Sequence, residues 1–210
     1  MDDPSSTGSI LIGLASIIIL VLANAFFVGA EFSLVGARRT RLEELARHGY
    51  TGAAAALRAV KHLDRYISAT QLGITLASLG LGWIGEPALA GLIDQGFSWL
   101  PDPLDSIATH GVAVAIAFTT ITVLHIILGE LVPKSLALLH PEKLSAWLAF
   151  PLTGFAWVMA GPIYVLNGTA NALLRRLGIK PPQEHERVHS PEEIRMLVEQ
   201  SEVSGSMGGE

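Results

Sequence analysis

The sequence contains no cysteine and few charged residues, and both absences limit what the chain can be. Without cysteine it forms neither a disulfide bond nor a metal site with thiolate ligands. Charged residues make up 16% of the chain, against roughly 25% in ordinary soluble domains. The 14 lysines and arginines form no basic patch interleaved with aromatic residues, so we expect no nucleic-acid partner.

Long apolar runs take the place of the missing charge. Half of the residues are hydrophobic and the mean hydropathy is +0.46. Each of four runs is longer than the roughly 20 residues that a membrane-spanning helix needs. The runs are Ile10 to Val35, Ile67 to Phe97, Ile107 to Leu139, and Leu144 to Leu174, the last interrupted at Gly161-Pro162. The first is too long for a cleaved signal peptide and lacks its basic start. The sequence therefore predicts an all-α, multi-pass protein of the cell membrane.

The basic residues predict how the runs are oriented. Seven of the fourteen lie between the first two runs, and none lies from Tyr66 to Pro133. Because basic loops stay in the cytoplasm, we expect the first loop inside and the N-terminus outside. A complete fourth crossing would carry Arg175, Arg176 and Lys180 outside, against the same rule. We therefore predict three transmembrane helices plus a juxtamembrane or re-entrant helical hairpin, with four spans as the alternative.

The remaining segments predict the domain organisation. Residues 1–180 are expected to form a transmembrane domain with cytoplasmic juxtamembrane helices. Residues 181–210 are expected to be a linker followed by the start of a helix at Ser190-Pro191. Within the first loop, Thr40-Arg41-Leu42-Glu43 predicts a capping box that opens a helix ending near Gly49. A second, alanine-rich helix is predicted from Thr51 to Asp64.

One carboxylate and one proline stand out in the third run. No residue between Asp105 and Glu130 carries a full charge, and the only titratable groups there are His110 and His125. An acid inside the membrane is costly and by default marks a functional site. Pro133 has no N–H, so the carbonyl of Gly129 is expected to lose its intrahelical partner. Free carbonyls at broken membrane helices recur as cation ligands.

Neutral oxygens in the first two runs complete a candidate site. Asn24 lies near the middle of the first run, and a 3-4-3 spacing places four residues of the second run on one helix face: Ser68, Gln71, Thr75 and Ser78. With Glu130 and the Gly129 carbonyl they form an all-oxygen set, which suits Mg2+, Ca2+, Mn2+ or Na+. The predicted metal ligands are Glu130, Asn24, Ser68, Gln71, Thr75 and Gly129.

Each of these residues also has a purely structural interpretation. Serine and threonine in spans commonly bond their own helix backbone, and asparagine and glutamine often join helices without a ligand. Glu31 lies on the same face as Asn24, but it could pair with Arg38 or Arg39. His125 is more typical of a packing residue than of a ligand.

A zinc-protease pattern, H-E-x-x-H, occurs at 185-HERVH-189. That motif binds zinc only inside a helix, where both histidines share one face. Here it precedes the helix start at Ser190-Pro191, so we do not expect a zinc site. No nucleophile–base pair is evident either, and we expect the chain not to be an enzyme.

Three blocks resemble the transmembrane domain of the CorC/CNNM magnesium transporters: ANAFFVGAEFSLVGARRTRLEEL, YISATQLGITLASLGLGWIGEPALA and LGELVPKSLAL. The resemblance runs from roughly Ile10 to Ile179. It implies a homodimer in the lipid bilayer, with three spans per protomer and a juxtamembrane helical belt. It also implies export of a largely dehydrated Mg2+ driven by Na+, with Glu130 as the acidic ligand and nucleotide-binding CBS domains after the helix from Pro191. The alternative is a membrane-embedded Mg2+ sensor or scaffold that regulates other transporters.

Overall fold

A computed structural model describes residues 4–85, 87–89 and 106–179, and within these ranges the chain is helical without a strand. The α-helices, in chain order, are α1 (Pro4–Gly36), α2 (Arg39–Arg47), α3 (Ala53–Lys61), α4 (Leu63–Gly80), α5 (Ser106–Leu124), α6 (Val132–Leu139), α7 (Pro141–Val158) and α8 (Ala160–Arg176). Two further segments are π-helical, Leu81–Gly85 and His125–Leu131. The prediction of an all-α fold is confirmed.

Three stretches of helix are long and apolar enough to cross a membrane: Leu11–Gly36, Leu63–Leu89 and Val114–Leu139. They have 26, 27 and 26 residues, which at about 1.5 Å per residue exceeds the roughly 30 Å thickness of the hydrocarbon core. These stretches are called the first, second and third spans below. They confirm the three spans expected from hydropathy.

The first span packs against the other two spans and against α7. Close approach to α4 depends on Gly73, since a Cβ there would lie 2.5 Å from the Phe27 ring. Phe27 in turn packs on Phe155 of α7, with 4.6 Å between ring centroids. The buried cluster around this contact also contains Leu34 and Leu152. The first span therefore has one face packed along α4 and α7.

The third span is interrupted where the sequence places its proline. Pro133 lies in the first turn of α6, directly after the π-helical segment. The N–H of Val132 bonds to the carbonyl of Ile127, five residues earlier, instead of four. This wider turn shifts the hydrogen-bond register just before the residue that cannot donate. The backbone irregularity therefore falls on Gly129 and Glu130.

The juxtamembrane layer consists of α2, α3 and α7, which pack through small side chains. Its buried core contains Leu42, Ala53, Ala55, Ala56, Ala146 and Ala149. Gly52 precedes α3 with φ +84°, and a Cβ at this position would overlap the Ala146 carbonyl oxygen. Glycine is required there both by the left-handed backbone and by the close approach of α7.

The predicted capping box is wrong, although the helix it announced exists. The N-cap of α2 is Arg38, which makes no side-chain cap bond, and Thr40 lies inside the helix. Glu43 accepts a hydrogen bond from Arg39, one turn earlier, at 3.2 Å. This ion pair at i, i+4 uses the carboxylate that a capping box would need. The second predicted helix is shorter than expected, because α3 ends at Lys61 and α4 begins at Leu63.

The fourth apolar run forms two helices, α7 and α8, that are bent by 75° at Met159. Counting the bent pair as one broken span would give four candidate spans. The bend fits the predicted juxtamembrane or re-entrant hairpin. Three aromatic side chains are exposed here, in a setting that suits the interface between membrane and water: Trp147, Trp157 and Tyr164.

The chain divides into two compact units, residues 1–167 and 168–210. All features discussed below belong to the first unit. The described part of the second contains the end of α8 and a turn at Gly178, where φ is +74°. The predicted linker, the helix from Pro191 and the H-E-x-x-H pattern lie outside the described residues.

Candidate metal centre

A cavity of about 470 Å³ lies where the three spans meet, between α1, α4 and the π-helical segment His125–Leu131. We call it the interspan cavity. It is lined by Asn24, Val28, Glu31, Phe32, Gln71, Ile74, Thr75, Ser78, His125 and Glu130. All of these residues lie within the candidate spans, so the cavity is a polar space inside the apolar part of the protein.

Four of the six predicted ligands line this cavity: Asn24, Gln71, Thr75 and Glu130. They come from three different spans and from sequence positions more than 100 residues apart. Gly129 adjoins the lining and is linked to it by a hydrogen bond with Asn24. Ser68 is the one predicted ligand that the structure does not bring to the cavity.

Asn24 connects the first span to the broken part of the third. Its side chain is 2% exposed, and Nδ2 donates to the Gly129 carbonyl oxygen at 3.0 Å. The sequence predicted a free carbonyl at Gly129, because Pro133 has no N–H. The carbonyl is not free, because Asn24 supplies the donor that the helix lacks. A carbonyl only accepts, so this bond fixes the orientation of the amide. Oδ1 then faces the Ser78 hydroxyl, which lies 3.5 Å away.

The absence of a side chain at Gly129 is needed for this contact. A Cβ at Gly129 would lie 2.8 Å from His125 Cδ2 and 3.2 Å from Asn24 Nδ2. Any larger residue would push the His125 ring or the amide away from the broken turn. The glycine therefore allows Asn24 and His125 to approach the same stretch of backbone.

The hydroxyl of Thr75 illustrates how α4 presents oxygen to the cavity. Thr75 Oγ1 donates its proton to the carbonyl of Gln71 at 2.8 Å. This is the backbone bond that the structural interpretation expected, but it does not oppose a ligand role. With the proton directed at the backbone, the oxygen lone pairs remain available to a cation. The Gln71 side chain has no hydrogen-bond partner within the described ranges.

Ser68 instead joins α4 to α8. Its hydroxyl lies 3.2 Å from Asn167 Oδ1 and 2.9 Å from the Asp64 carbonyl, and Asn167 Nδ2 lies 3.1 Å from the hydroxyl oxygen. These contacts occupy both the proton and a lone pair of the hydroxyl. The polar stripe of α4 is thus divided, with Ser68 in a helix–helix contact and the other three residues on the cavity wall.

Glu31 is a second carboxylate on the cavity wall. It does not pair with Arg38 or Arg39, since Arg38 bonds Glu142 and Arg39 bonds Glu43. Instead, the hydroxyl of the fully buried Thr70 lies 3.2 Å from Glu31 Oε2 and 2.8 Å from the Ile67 carbonyl oxygen. The sequence signal for Glu31 was its position seven residues after Asn24, which puts both on one helix face.

Ser78 and His125 also line the cavity although neither was among the predicted ligands. Ser78 belongs to the α4 stripe and could have been included from its spacing alone. His125 lies one helical turn before Gly129, on the side of the broken turn that faces Asn24. The sequence around His125 gave no comparable sign of a ligand, because a lone histidine in an apolar run is usually a packing residue.

The donor set of the cavity is dominated by oxygen. In the described part of the chain, no three side chains of His, Cys, Asp or Glu are grouped closely enough to hold a metal by themselves. A cation bound here would therefore combine carboxylate with amide and hydroxyl oxygens. Such hard oxygen ligands suit Mg2+, Ca2+ or Na+ and not a soft transition metal.

Comparison with known proteins identifies the family of the chain. Residues 15–210 match the family model CNNM, described as the cyclin M transmembrane N-terminal domain. The chain is 43% identical over 207 residues to UPF0053 protein YhdT of Bacillus subtilis (strain 168), covering 99% of the chain and 43% of that protein. It is 37% identical over 193 residues to the uncharacterized protein MT1889 of Mycobacterium tuberculosis (strain CDC 1551 / Oshkosh), covering 92% and 54%.

The chain spans about half the length of these curated relatives. The match of the family model covers nearly the whole of the chain, including the interspan cavity and all but the first four residues of the three spans. The chain therefore belongs to the CNNM family of multi-pass membrane proteins, which is linked to the transport of Mg2+ and other divalent cations.

Proposed function

We propose that this chain is the transmembrane domain of a Na+-coupled Mg2+ exporter that binds a largely dehydrated Mg2+ in the interspan cavity. The observation that carries the proposal is the convergence of Glu130, Asn24, Gln71 and Thr75 from three spans on one polar cavity. In hydrocarbon, polar groups that served only to join helices would be expected to bond each other. Gln71 and Glu130 have no such partner within the described ranges.

The charges of the cavity match a divalent cation. Glu130 and Glu31 both line it, and two ionised carboxylates balance the charge of one Mg2+. Mg2+ gives up its water reluctantly, so a dry site needs a carboxylate and several close oxygens in compensation. The Thr75 hydroxyl, the Gln71 amide and the second lone pair of the Gly129 carbonyl would provide the neutral part of that shell.

Na+ is the coupling ion in this proposal, and two protomers form the working unit. Na+ accepts the same oxygen ligands as Mg2+ but balances only half the charge. Entry of Na+ into a cavity with two carboxylates would therefore compete with Mg2+. The π-helical turn of the third span is the element that would alter the cavity between its two open states, since its backbone is already outside the regular helix register.

The proposal is tested by Mg2+ flux in proteoliposomes that contain the chain, with and without a Na+ gradient. Glu130→Gln keeps the size of the side chain and removes its charge. Because the affinity of an oxygen site for a divalent cation depends on the number of charged ligands, we expect Mg2+ flux to fall by at least about tenfold at subsaturating Mg2+. Wild-type flux should depend on the Na+ gradient.

Ser68→Ala is the matched control, because Ser68 belongs to the same predicted ligand set but lies outside the cavity. It should transport Mg2+ like the wild type. Circular dichroism and gel filtration would verify that each variant is folded. Mg2+ binding without flux in the wild type would favour the sensor or scaffold function, and equal flux in wild type and Glu130→Gln would contradict the proposed site.

A further inference from the structure

A second cavity, separate from the interspan cavity, opens beside the juxtamembrane layer. It has a volume of about 1240 Å³ and lies between α1, α6, α7 and the turn that joins α2 to α3. We call it the juxtamembrane groove. It shares no lining residue with the interspan cavity, and no carboxylate lines it.

The inner wall of the groove is apolar and lies at membrane depth. Leu22, Phe26 and Gly29 belong to the first span, while Pro133 and Leu136 belong to the third. The solvent around these spans is the hydrocarbon of the lipid bilayer, because a water-filled apolar groove at this depth would be unfavourable. Such a wall is complementary to an acyl chain.

The outer end of the groove is polar and carries unused hydrogen-bond donors. It is formed by the turn His48–Gly49–Tyr50–Thr51–Gly52. The N–H groups of Thr51 and Gly52 make no backbone hydrogen bond within the described ranges. The hydroxyls of Tyr50 and Thr51 likewise have no partner there. An apolar channel that ends in several free donors matches a lipid tail and its phosphate-bearing headgroup.

The charges beside the polar end select the sign of that headgroup. Arg47 precedes His48 of the turn, and Lys143 precedes the lining residue Leu144. Both are exposed, and neither forms an ion pair with a described residue. By contrast, Arg38, Arg39 and Arg41 are each paired with a glutamate. Arg58, Lys61 and Arg65 are also exposed and without an ion pair among the described residues, but none of them adjoins a residue that lines the groove. Arg47 and Lys143 are thus both unpaired and next to the groove.

We propose that the juxtamembrane groove binds one anionic phospholipid, with an acyl chain along α1 and α6 and the headgroup at the His48–Gly52 turn. This site is independent of the proposed transport function. A basic residue close to an anionic membrane surface contributes about 1 kcal/mol, or about fivefold. Arg47 and Lys143 together would therefore favour an anionic over a zwitterionic lipid by roughly tenfold or more.

Trp147 provides a local probe, because it lines the groove and is 75% exposed. Replacing Trp83, Trp99 and Trp157 by phenylalanine leaves Trp147 as the only tryptophan. The full chain is placed in vesicles that mix phosphatidylglycerol with phosphatidylcholine, one of which carries brominated acyl chains that quench fluorescence. The dependence of quenching on composition gives the relative association constant of the two lipids.

We expect phosphatidylglycerol to be preferred by roughly tenfold or more, and the preference to disappear in the double variant Arg47→Gln/Lys143→Gln. Arg58→Gln/Lys61→Gln is the matched control, because these exposed cations lie on α3 away from the groove lining. It should keep the preference. Equal association of the two lipids in the wild type, or an equal loss in both double variants, would overturn the proposal.

Occupation of the groove itself is tested by filling it. Ala25 lines the groove on α1, and Ala25→Phe should displace the acyl chain and reduce quenching of Trp147 by either lipid. Ile18→Phe, on an exposed part of the same helix, should leave quenching unchanged. If wild-type Trp147 were quenched by neither lipid, another protein surface would cover the groove and the lipid site would be wrong.

Discussion

The interspan cavity and the juxtamembrane layer use the same kinds of side chain in opposite ways. In the layer, carboxylates are paired: Glu142 with Arg38, Glu43 with Arg39, and Glu44 with Arg41. In the cavity, Glu130 has no ion-pair or hydrogen-bond partner among the described residues, and Glu31 has only Thr70. The layer pairs these three carboxylates within the protein, whereas the cavity leaves a carboxylate available to a ligand.

The juxtamembrane layer and the interspan cavity also differ in how tightly they are packed. The layer is packed through alanines, and Gly52 lies directly against the backbone of α7, so the layer has little room to rearrange. The cavity is bounded by a π-helical turn in which the Gly129 carbonyl accepts a hydrogen bond from the Asn24 side chain instead of from the helix backbone. Substitutions in the layer should therefore lower stability and spare transport. Substitutions of cavity side chains that hold no backbone group should lower transport and spare stability.

The largest effect on stability is expected for Gly52→Ala. A left-handed backbone costs a non-glycine residue roughly 1–2 kcal/mol, and the new Cβ would also overlap the Ala146 carbonyl oxygen. We expect the free energy of unfolding to fall by at least about 2 kcal/mol, measured by thermal or denaturant unfolding in detergent.

Gly49→Ala is the matched control, because Gly49 has φ +73° but no atom within 4 Å of an added Cβ. It should lose only the backbone part, about 1 kcal/mol. Equal losses in the two variants would show that contact between the turn and α7 contributes nothing to stability.

Asn24→Leu should affect both stability and transport, because Asn24 belongs to the cavity and also supports the backbone. The variant keeps the approximate size but leaves the Gly129 carbonyl without its side-chain donor, which costs about 1–3 kcal/mol for a buried acceptor. Mg2+ flux should fall at the same time. A variant with lower flux and unchanged unfolding would mean that the hydrogen bond does not stabilise the broken turn.

Hydropathy and charge were enough to predict the number of spans and the bent fourth run, because both depend on composition along a single helix. The polar stripe of α4 was also predictable, since the 3-4-3 spacing alone places its members on one face. The sequence did not predict which residues of the stripe line the cavity. Asn167 of α8 engages Ser68, and the position of α8 against α4 depends on tertiary packing that no local pattern encodes.

The state of Gly129 shows the same limit. The sequence correctly located a disturbed backbone next to Pro133, because proline removes a donor wherever it stands in a helix. It did not reveal that Asn24, 105 residues earlier, replaces the missing donor. The ligand assignments of Asn24, Gln71, Thr75, Gly129 and Glu130 stay predictions that flux measurements can test.

Three α4 variants test the division of the stripe, with a smaller expected effect. Thr75→Val keeps the shape of the side chain and removes its oxygen from the cavity wall, so the apparent Mg2+ affinity for transport should fall about tenfold, which corresponds to loss of one neutral ligand worth about 1.4 kcal/mol. Thr75→Ser should retain most of the affinity. If Ser68→Ala lowered the affinity as much as Thr75→Val, the hydroxyl bonded to Asn167 would belong to the site after all.

The smallest effect is expected from the Arg38–Glu142 ion pair of the juxtamembrane layer. Partial burial raises the pKa of Glu142, but hydrogen bonds from the Arg38 side chain and from backbone N–H groups outweigh it, so the pKa lies below its ordinary value. A depressed pKa in the folded state stabilises the protein above the ordinary value of about 4.3. That contribution is lost as the pH falls through the depressed pKa. Since Arg38 is 78% exposed, we expect the ion pair to add at most about 0.5–1 kcal/mol to the free energy of unfolding.

Glu142→Gln should therefore unfold slightly more easily than the wild type at pH 7, and the difference should vanish in acid. A difference that persisted unchanged at low pH would assign it to packing of the side chain instead of its charge.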